Sequence, residues 1–342
     1  VTTPPRAAIF GCAGPRLGPE EGAFFREADP LGFILFARNV ETPTQVKALV
    51  ADLRNAVGRA DAPVLIDQEG GRVARLRPPH WRATKPAAAF AALYRHDAAK
   101  GLRAAWLQAR LIAADLAALG IDVDCVPCAD VPVPGAHQII GDRAYGHEPI
   151  QVAALARASA EGLLAGGVLP VIKHLPGHGR AAVDTHASLP RVAAPLRALQ
   201  GYDFAAFRPL ADLPWGMTAH VIYTAIDGER PATQSNRVID EVIRRWIGFD
   251  GLLLSDDLGM NALAGGFDQR AAACLAAGCD IALHCSGKME EMRAVAAGTG
   301  PMSTASLTRL ARGRTYFRAP QPIDIKAAEA ELTALLGGEA GA

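Results

Sequence analysis

The chain has 342 residues, half of them apolar, which is enough material for a large buried core. Lys plus Arg and Asp plus Glu number 35 each, so no net field draws the protein to nucleic acid or to an anionic membrane surface. No stretch reaches the ~18 uninterrupted apolar residues of a membrane span. The opening Val1-Thr-Thr-Pro-Pro-Arg6 lacks a charged segment followed by an apolar one, so a cytoplasmic location is the expectation.

In chain order, short apolar or β-branched runs read as strands at Ala7–Phe10, Gly32–Phe36, Pro63–Asp67, Ile121–Val126, Val168–Lys173, Trp215–Ala219, Gly251–Ser255 and Asp280–His284. Between them, Ala/Leu/Arg-rich stretches read as helices at Thr44–Val57, Ala98–Leu119, Ile150–Ala165, Val238–Ile247, Gln269–Ala277 and Met289–Ala297. Thr42, followed by Pro43, is an expected helix N-cap. Lys326–Leu336 reads as a C-terminal helix packed on the body of the fold, with a Gly/Ala tail after it. Arg77–Pro86 and Pro320–Ile325 read as loops, not domain boundaries. Eight strands alternating with helices predict an α/β fold, a (β/α)8 TIM barrel that occupies the chain as one domain. A doubly wound open sheet is the alternative.

The six cysteines, Cys12, Cys125, Cys128, Cys274, Cys279 and Cys285, form no small-scaffold disulfide pattern. Cys125-Val-Pro-Cys128 has CxxC spacing, but no second pair follows and the segment is apolar. Both are expected to be buried small hydrophobes.

Barrel active sites gather at the C-terminal strand ends, and the polar residues of this chain concentrate there. Strand three runs into Asp67-Gln-Glu-Gly-Gly-Arg-Val-Ala-Arg75, strand five into Lys173-His-Leu-Pro-Gly-His-Gly179, strand six into Thr218-Ala-His220 and strand seven into Ser255-Asp-Asp257. Lys173 and His174 should project into the mouth. Asp184 and His186, two apart, fall on one side of an extended segment. A carboxylate beside an imidazole orients it and favours its charged form, which suits general acid and base work. Three histidines and an aspartate in this region also leave a metal site open, and His178 between glycines reads as a structural loop residue. Of the adjacent acids, Asp256 is assigned to the cavity and Asp257 to a helix N-cap, although alternation alone does not choose between them. Asp67, Arg75 and Arg143 form a second polar group suited to sugar hydroxyls, with a loop-stabilising salt-bridge network as the alternative.

These motifs, Ile66–Arg75, Lys173–Gly179, Asp184-Thr-His186 and Ser255-Asp-Asp-Leu258, together resemble family 3 glycoside hydrolases. Within that family they resemble the bacterial single-domain β-N-acetylglucosaminidases of peptidoglycan recycling, the NagZ type, over about Phe10 to Gly287. The resemblance implies Asp256 as nucleophile, His186 as general acid/base with Asp184 as its partner, and Asp67, Arg75, Arg143, Lys173 and His174 as holders of a terminal GlcNAc. It implies a saccharide substrate, GlcNAc linked to 1,6-anhydro-N-acetylmuramic acid with or without peptide, and no cofactor or metal. Leu175 stands where the family commonly has Phe, and Thr185 where Ser is common; neither removes a reacting group. A histidine acid/base repels an incoming anion less than a carboxylate would, so phosphorolysis beside hydrolysis is a further expectation. A metal-dependent hydrolase and a non-catalytic GlcNAc-binding protein are the competing readings, and a monomer is the plausible assembly.

Overall fold

The structure, a computed structural model, describes residues 3–181 and 189–337. Eight strands carry the fold: β1 (Arg6–Gly11), β2 (Pro30–Leu35), β3 (Val64–Ile66), β4 (Val123–Asp124), β5 (Leu169–Leu175), β6 (Trp215–Thr218), β7 (Leu252–Leu254) and β8 (Ala282–His284). All pair in parallel, in the order β8-β1-β2-β3-β4-β5-β6-β7. The ring closes through a bridge between Leu254 and Ile281, where Ser255 N–H meets the Ile281 carbonyl at 2.9 Å. This is the (β/α)8 TIM barrel, and each of the eight expected strand segments supplies one of its staves.

Period-two alternation explains the two apolar layers outside β2, whose inward Leu31 and Ile34 lie three positions apart. Ala7, Ile9, Leu31, Ile34, Leu65, Val123, Leu169, Val171, Leu252 and Leu254 fill the barrel. Their neighbours Ala8, Phe10, Phe33, Leu35, Val64, Ile66, Ile172 and Leu253 point outward against the helices.

Helices fall at Pro43–Ala56, Ala98–Leu119, Pro149–Ala165, Val238–Ile247 (wound with i→i+5 bonds), Phe267–Ala277, Met289–Ala297 and Ile325–Leu335, close to expectation. Thr42 does cap its helix, its hydroxyl accepting the Gln45 N–H at 3.2 Å. Three helices, Pro19–Ala28, Ala87–His96 and Thr304–Arg314, were not anticipated from the sequence. The last of these closes the bottom of the barrel. Met302 and Leu310 join the interior cluster, and Gly313 lies so near Trp215 that a Cβ there would sit 2.8 Å from the indole nitrogen. With the N-terminal end plugged, the C-terminal strand ends are left as the open mouth. No helix among the described residues is long and apolar enough to cross a membrane.

Candidate active site

A cavity of about 220 Å³ opens at that mouth, lined among others by Phe36, Asp67, Glu69, Arg72, Arg75, Arg143, Lys173, His174, His178, Asp256, Asp257 and Cys285. Its first wall is built by the chain after β3. Gly70 and Gly71 take φ of 106° and 57°, and a Cβ on Gly70 would lie 2.3 Å from the Lys85 carbonyl oxygen, so the turn needs glycine. Buried Gln68 stitches the returning strand: its side-chain oxygen accepts the N–H groups of Arg75 (2.8 Å) and Leu76 (3.0 Å). Its own N–H donates to Asp124 at 2.9 Å. Arg75 is thereby brought back over Asp67, to which its guanidinium donates at 3.1 Å, while the Phe36 ring lies 5.3 Å beneath it.

Lys173 enters from β5. The register between β5 and β6 slips between Ile172 and Leu175, which breaks the two-residue alternation and lets Lys173 and His174 both line the cavity. The ammonium, with its side chain 2 % exposed, donates to Asp67 at 2.8 Å and to Glu69 at 2.7 Å. Glu69 also receives a forked pair from Arg143 at 2.9 and 2.7 Å. Three cations and two carboxylates thus form one linked wall, Arg75–Asp67–Lys173–Glu69–Arg143. Burial opposes charge on Asp67, Glu69, Lys173 and Arg143, and the partners reverse it. Lys173 and then Arg75 hold Asp67 below the usual carboxylate range, and Arg143 and then Lys173 hold Glu69 well below it. In return the two carboxylates push Lys173 up, and Glu69 pushes Arg143 up. The two alternatives for the arginines, sugar contact and salt-bridge network, are therefore not exclusive: each is ion-paired and each lines the cavity.

Asp256 and Asp257 follow β7. Asp257 accepts two backbone N–H groups, from Gly259 (2.9 Å) and Cys285 (3.0 Å), and so caps a turn, not the helix N-terminus expected for it. Asp256 accepts one, from Asp257 itself, at 2.8 Å. Burial works against its charge, but the groups around it, among them the Asp257 N–H and Lys173, hold it below the ordinary aspartate range. His220 donates through Nε2 to the Asp257 carbonyl at 2.9 Å, and its Nδ1 pairs with the Thr233 hydroxyl at 2.7 Å. Burial keeps this ring neutral, in line with that donor-and-acceptor pairing.

His174 and His178 share one carboxylate, Asp130, which is fully buried behind them. Its Oδ2 lies 2.6 Å from His174 Nδ1, and its Oδ1 accepts the His178 N–H at 2.6 Å. Burial drives His178 down to about 4. It is a neutral imidazole in the cavity wall, a place that the reading of it as a structural loop residue did not foresee. Cys128, Asp130 and His174 are the described residues whose ligand atoms cluster tightly enough to suggest a metal. Yet two ligands of a tetrahedral zinc ion lie on the order of 3.3 Å apart, and the 2.6 Å between Asp130 and His174 is a hydrogen bond. All six cysteines are free and buried, as expected for Cys125 and Cys128.

Asp67, Arg75, Arg143, Lys173, His174 and Asp256 all meet at this cavity; Asp184 and His186 lie outside the described residues. Glu69 and Asp130 were missed in the sequence. Glu69 shares an extended face with Asp67, and Asp130 is a lone acid in an apolar run, so each carried a legible signal.

Comparison with known proteins gives a concordant result. The sequence model of the Glycosyl hydrolase family 3 N terminal domain matches residues 28–311. A β-hexosaminidase of Alkalilimnicola ehrlichii is 42% identical over 282 residues, 81% of this chain and 80% of that protein. One from Methylococcus capsulatus is 38% identical over 311 residues, 90% of this chain and 87% of that one. Among solved structures, NagZ from Neisseria gonorrhoeae in complex with N-trifluoroacetyl-D-glucosamine superposes with a TM-score of 0.87 at 31% identity, covering 98% of this chain and 99% of that one.

Proposed function

Because the chain belongs to glycosyl hydrolase family 3, and is a glycoside hydrolase of the β-N-acetylhexosaminidase type, we propose that it is a retaining exo-β-N-acetylglucosaminidase with Asp256 as nucleophile. The supporting observation is the pairing of an ionised carboxylate, accepting a single backbone N–H, with a rigid wall of cations and carboxylates across one cavity. Sugar hydroxyls donate and accept, so a wall whose side chains are already aligned by their own ion pairs binds them without reordering.

An Asp256 oxygen attacks the anomeric carbon as the glycosidic C–O bond breaks, and protonated His186 gives its proton to the leaving oxygen. A glycosyl–aspartate ester results. Neutral His186 then takes a proton from water, whose oxygen displaces Asp256 and restores the starting configuration. Asp184 orients His186 and favours its charged form. Asp67, Arg75, Arg143, Lys173 and His174 hold the terminal GlcNAc. The family resemblance extends the reading to GlcNAc–1,6-anhydro-N-acetylmuramic acid and its peptides, in peptidoglycan recycling in the cytoplasm, by a single-domain monomer.

Turnover of an aryl β-GlcNAc tests the activity, and Asp256→Ala should abolish it. A 5-fluoro-glycosyl fluoride should leave a mass adduct on Asp256; an adduct on Asp257 reassigns the nucleophile. Loss of turnover with EDTA, restored by zinc, would replace this mechanism with a metal-dependent one. GlcNAc binding with no turnover and no adduct would make the chain a carbohydrate-binding protein.

A further inference from the structure

We propose that Asp130 is a positioning residue that fixes hydrogen on Nδ1 of His174 and so turns Nε2 toward the sugar as a hydrogen-bond acceptor. For the identity of the ligand this rests on the function proposed above; for the hydrogen on Nδ1 it rests on geometry alone. Asp130 is 0 % exposed, and every contact it makes comes from a donor. Oδ2 takes His174 Nδ1 at 2.6 Å and the Cys128 thiol at 3.3 Å. Oδ1 takes the backbone N–H of His178 at 2.6 Å and of His174 at 3.3 Å. Among the described residues no Lys or Arg pairs with it. An ionised carboxylate can only accept, so the nitrogen 2.6 Å away must carry the hydrogen. In a neutral ring that leaves a lone pair on Nε2, on the far side from Asp130.

The consequence for the cavity is chemical. The carboxylates of the ionic wall are already engaged by Lys173, Arg75 and Arg143, which present further N–H donors. A bare Nε2 adds an uncharged acceptor beside those carboxylates. Asp130 does not line the cavity, so it acts through His174 and not on the sugar. Its role is distinct from the one proposed above for Asp184 toward His186.

Asp130 also ties the turn at His178 to the chain after β4, so a structural role must be separated from the proposed one. Asp130→Asn does this. The amide oxygen can keep both backbone N–H groups, while the NH2 group now faces Nδ1 and forces the hydrogen onto Nε2.

Histidine ¹⁵N NMR of the ligand-free protein should show His174 with hydrogen on Nδ1 in the wild type and on Nε2 in Asp130→Asn. On aryl β-GlcNAc, Asp130→Asn should lower kcat/KM about tenfold or more, chiefly through KM. The double variant Asp130→Asn/His174→Ala should be no worse than His174→Ala alone. An Nε2-hydrogen form or a doubly protonated ring in the wild type, an unchanged kcat/KM, or losses that multiply in the double variant would each overturn the proposal. If Asp130→Asn does not fold, the wild-type spectrum decides. If the wild type has no activity on β-GlcNAc, the glycosidase reading falls, while the NMR result still judges Asp130.

Discussion

Glu69→Gln is the substitution whose effect the ionic wall defines most sharply. Glu69 is 8 % exposed and neutralises two buried cations, Lys173 at 2 % and Arg143 at 12 %. The amide cannot balance both charges, and its NH2 group must face one of them. Breaking a buried pair from one side costs about 3–5 kcal/mol. Lys173 retains Asp67 at 2.8 Å, which places the expected loss near the lower end, about 3 kcal/mol. For 342 residues the unfolding entropy is about 0.7 kcal/mol/K, so Tm should fall by about 4 °C. The same change at Glu331 is the control. Its bridge to Arg103 is also 2.7 Å long, but the partners are 42 % and 47 % exposed, so Glu331→Gln should cost no more than about 0.5 kcal/mol. Urea unfolding with unchanged m values measures both losses. The reasoning is refuted if Glu69→Gln is as stable as Glu331→Gln, because burial would then not be what makes this wall matter.

Other expectations follow from the same structure. Asp257→Ala removes the acceptor of the Gly259 and Cys285 N–H groups, costing about 1–2 kcal/mol while leaving the fluoro-sugar adduct on Asp256. Mass spectrometry and denaturation check the two halves. Asp124, buried at the end of β4, is pushed up by that burial from 3.8 to about 8. The folded state therefore holds its proton where the unfolded chain has released it, and stability should fall as pH rises from about 4 to about 8. Asp124→Asn should flatten this slope, so that the variant gains on the wild type between pH 5 and pH 9 in denaturant titrations; parallel curves would count against it. Burial also raises the Cys12, Cys125, Cys128 and Cys285 thiols, Cys12 to about 12, and a hydrogen bond with Cys274 followed by burial raises Cys279. An aromatic disulfide reagent at pH 8 should leave these cysteines unmodified in the native protein and label them after denaturation.

Much of the site could be read from residue order. Asp67, Lys173, His174 and Asp256 each directly follow an apolar run, and a residue just past a barrel strand has few places to go but the mouth. Arg75 and Arg143 are further from their strands and came into view through the family motifs. What residue order did not carry is partnership. Arg143 was grouped with Asp67, yet it pairs with Glu69, and the two acids are joined through Lys173. Asp257 was expected to cap a helix, yet it holds a turn and the first N–H after β8. The role of His178 was also underread, because a histidine between glycines looks like loop until its neighbours are known to be Asp130 and His174.

Alternating apolar residues along each short run specify a strand and its two faces, because backbone geometry sends successive side chains to opposite sides. Repetition of that pattern between helical stretches then specifies the barrel and the end at which ionisable groups collect. These are local properties, and one chain of letters contains them. The ion pairs are not local: Lys173 and Asp67 are 106 positions apart and meet only because β3 and β5 are alternate staves of one closed ring. Their contact depends on the stagger between strands and on the register slip in β5, quantities set by the simultaneous packing of all eight strands.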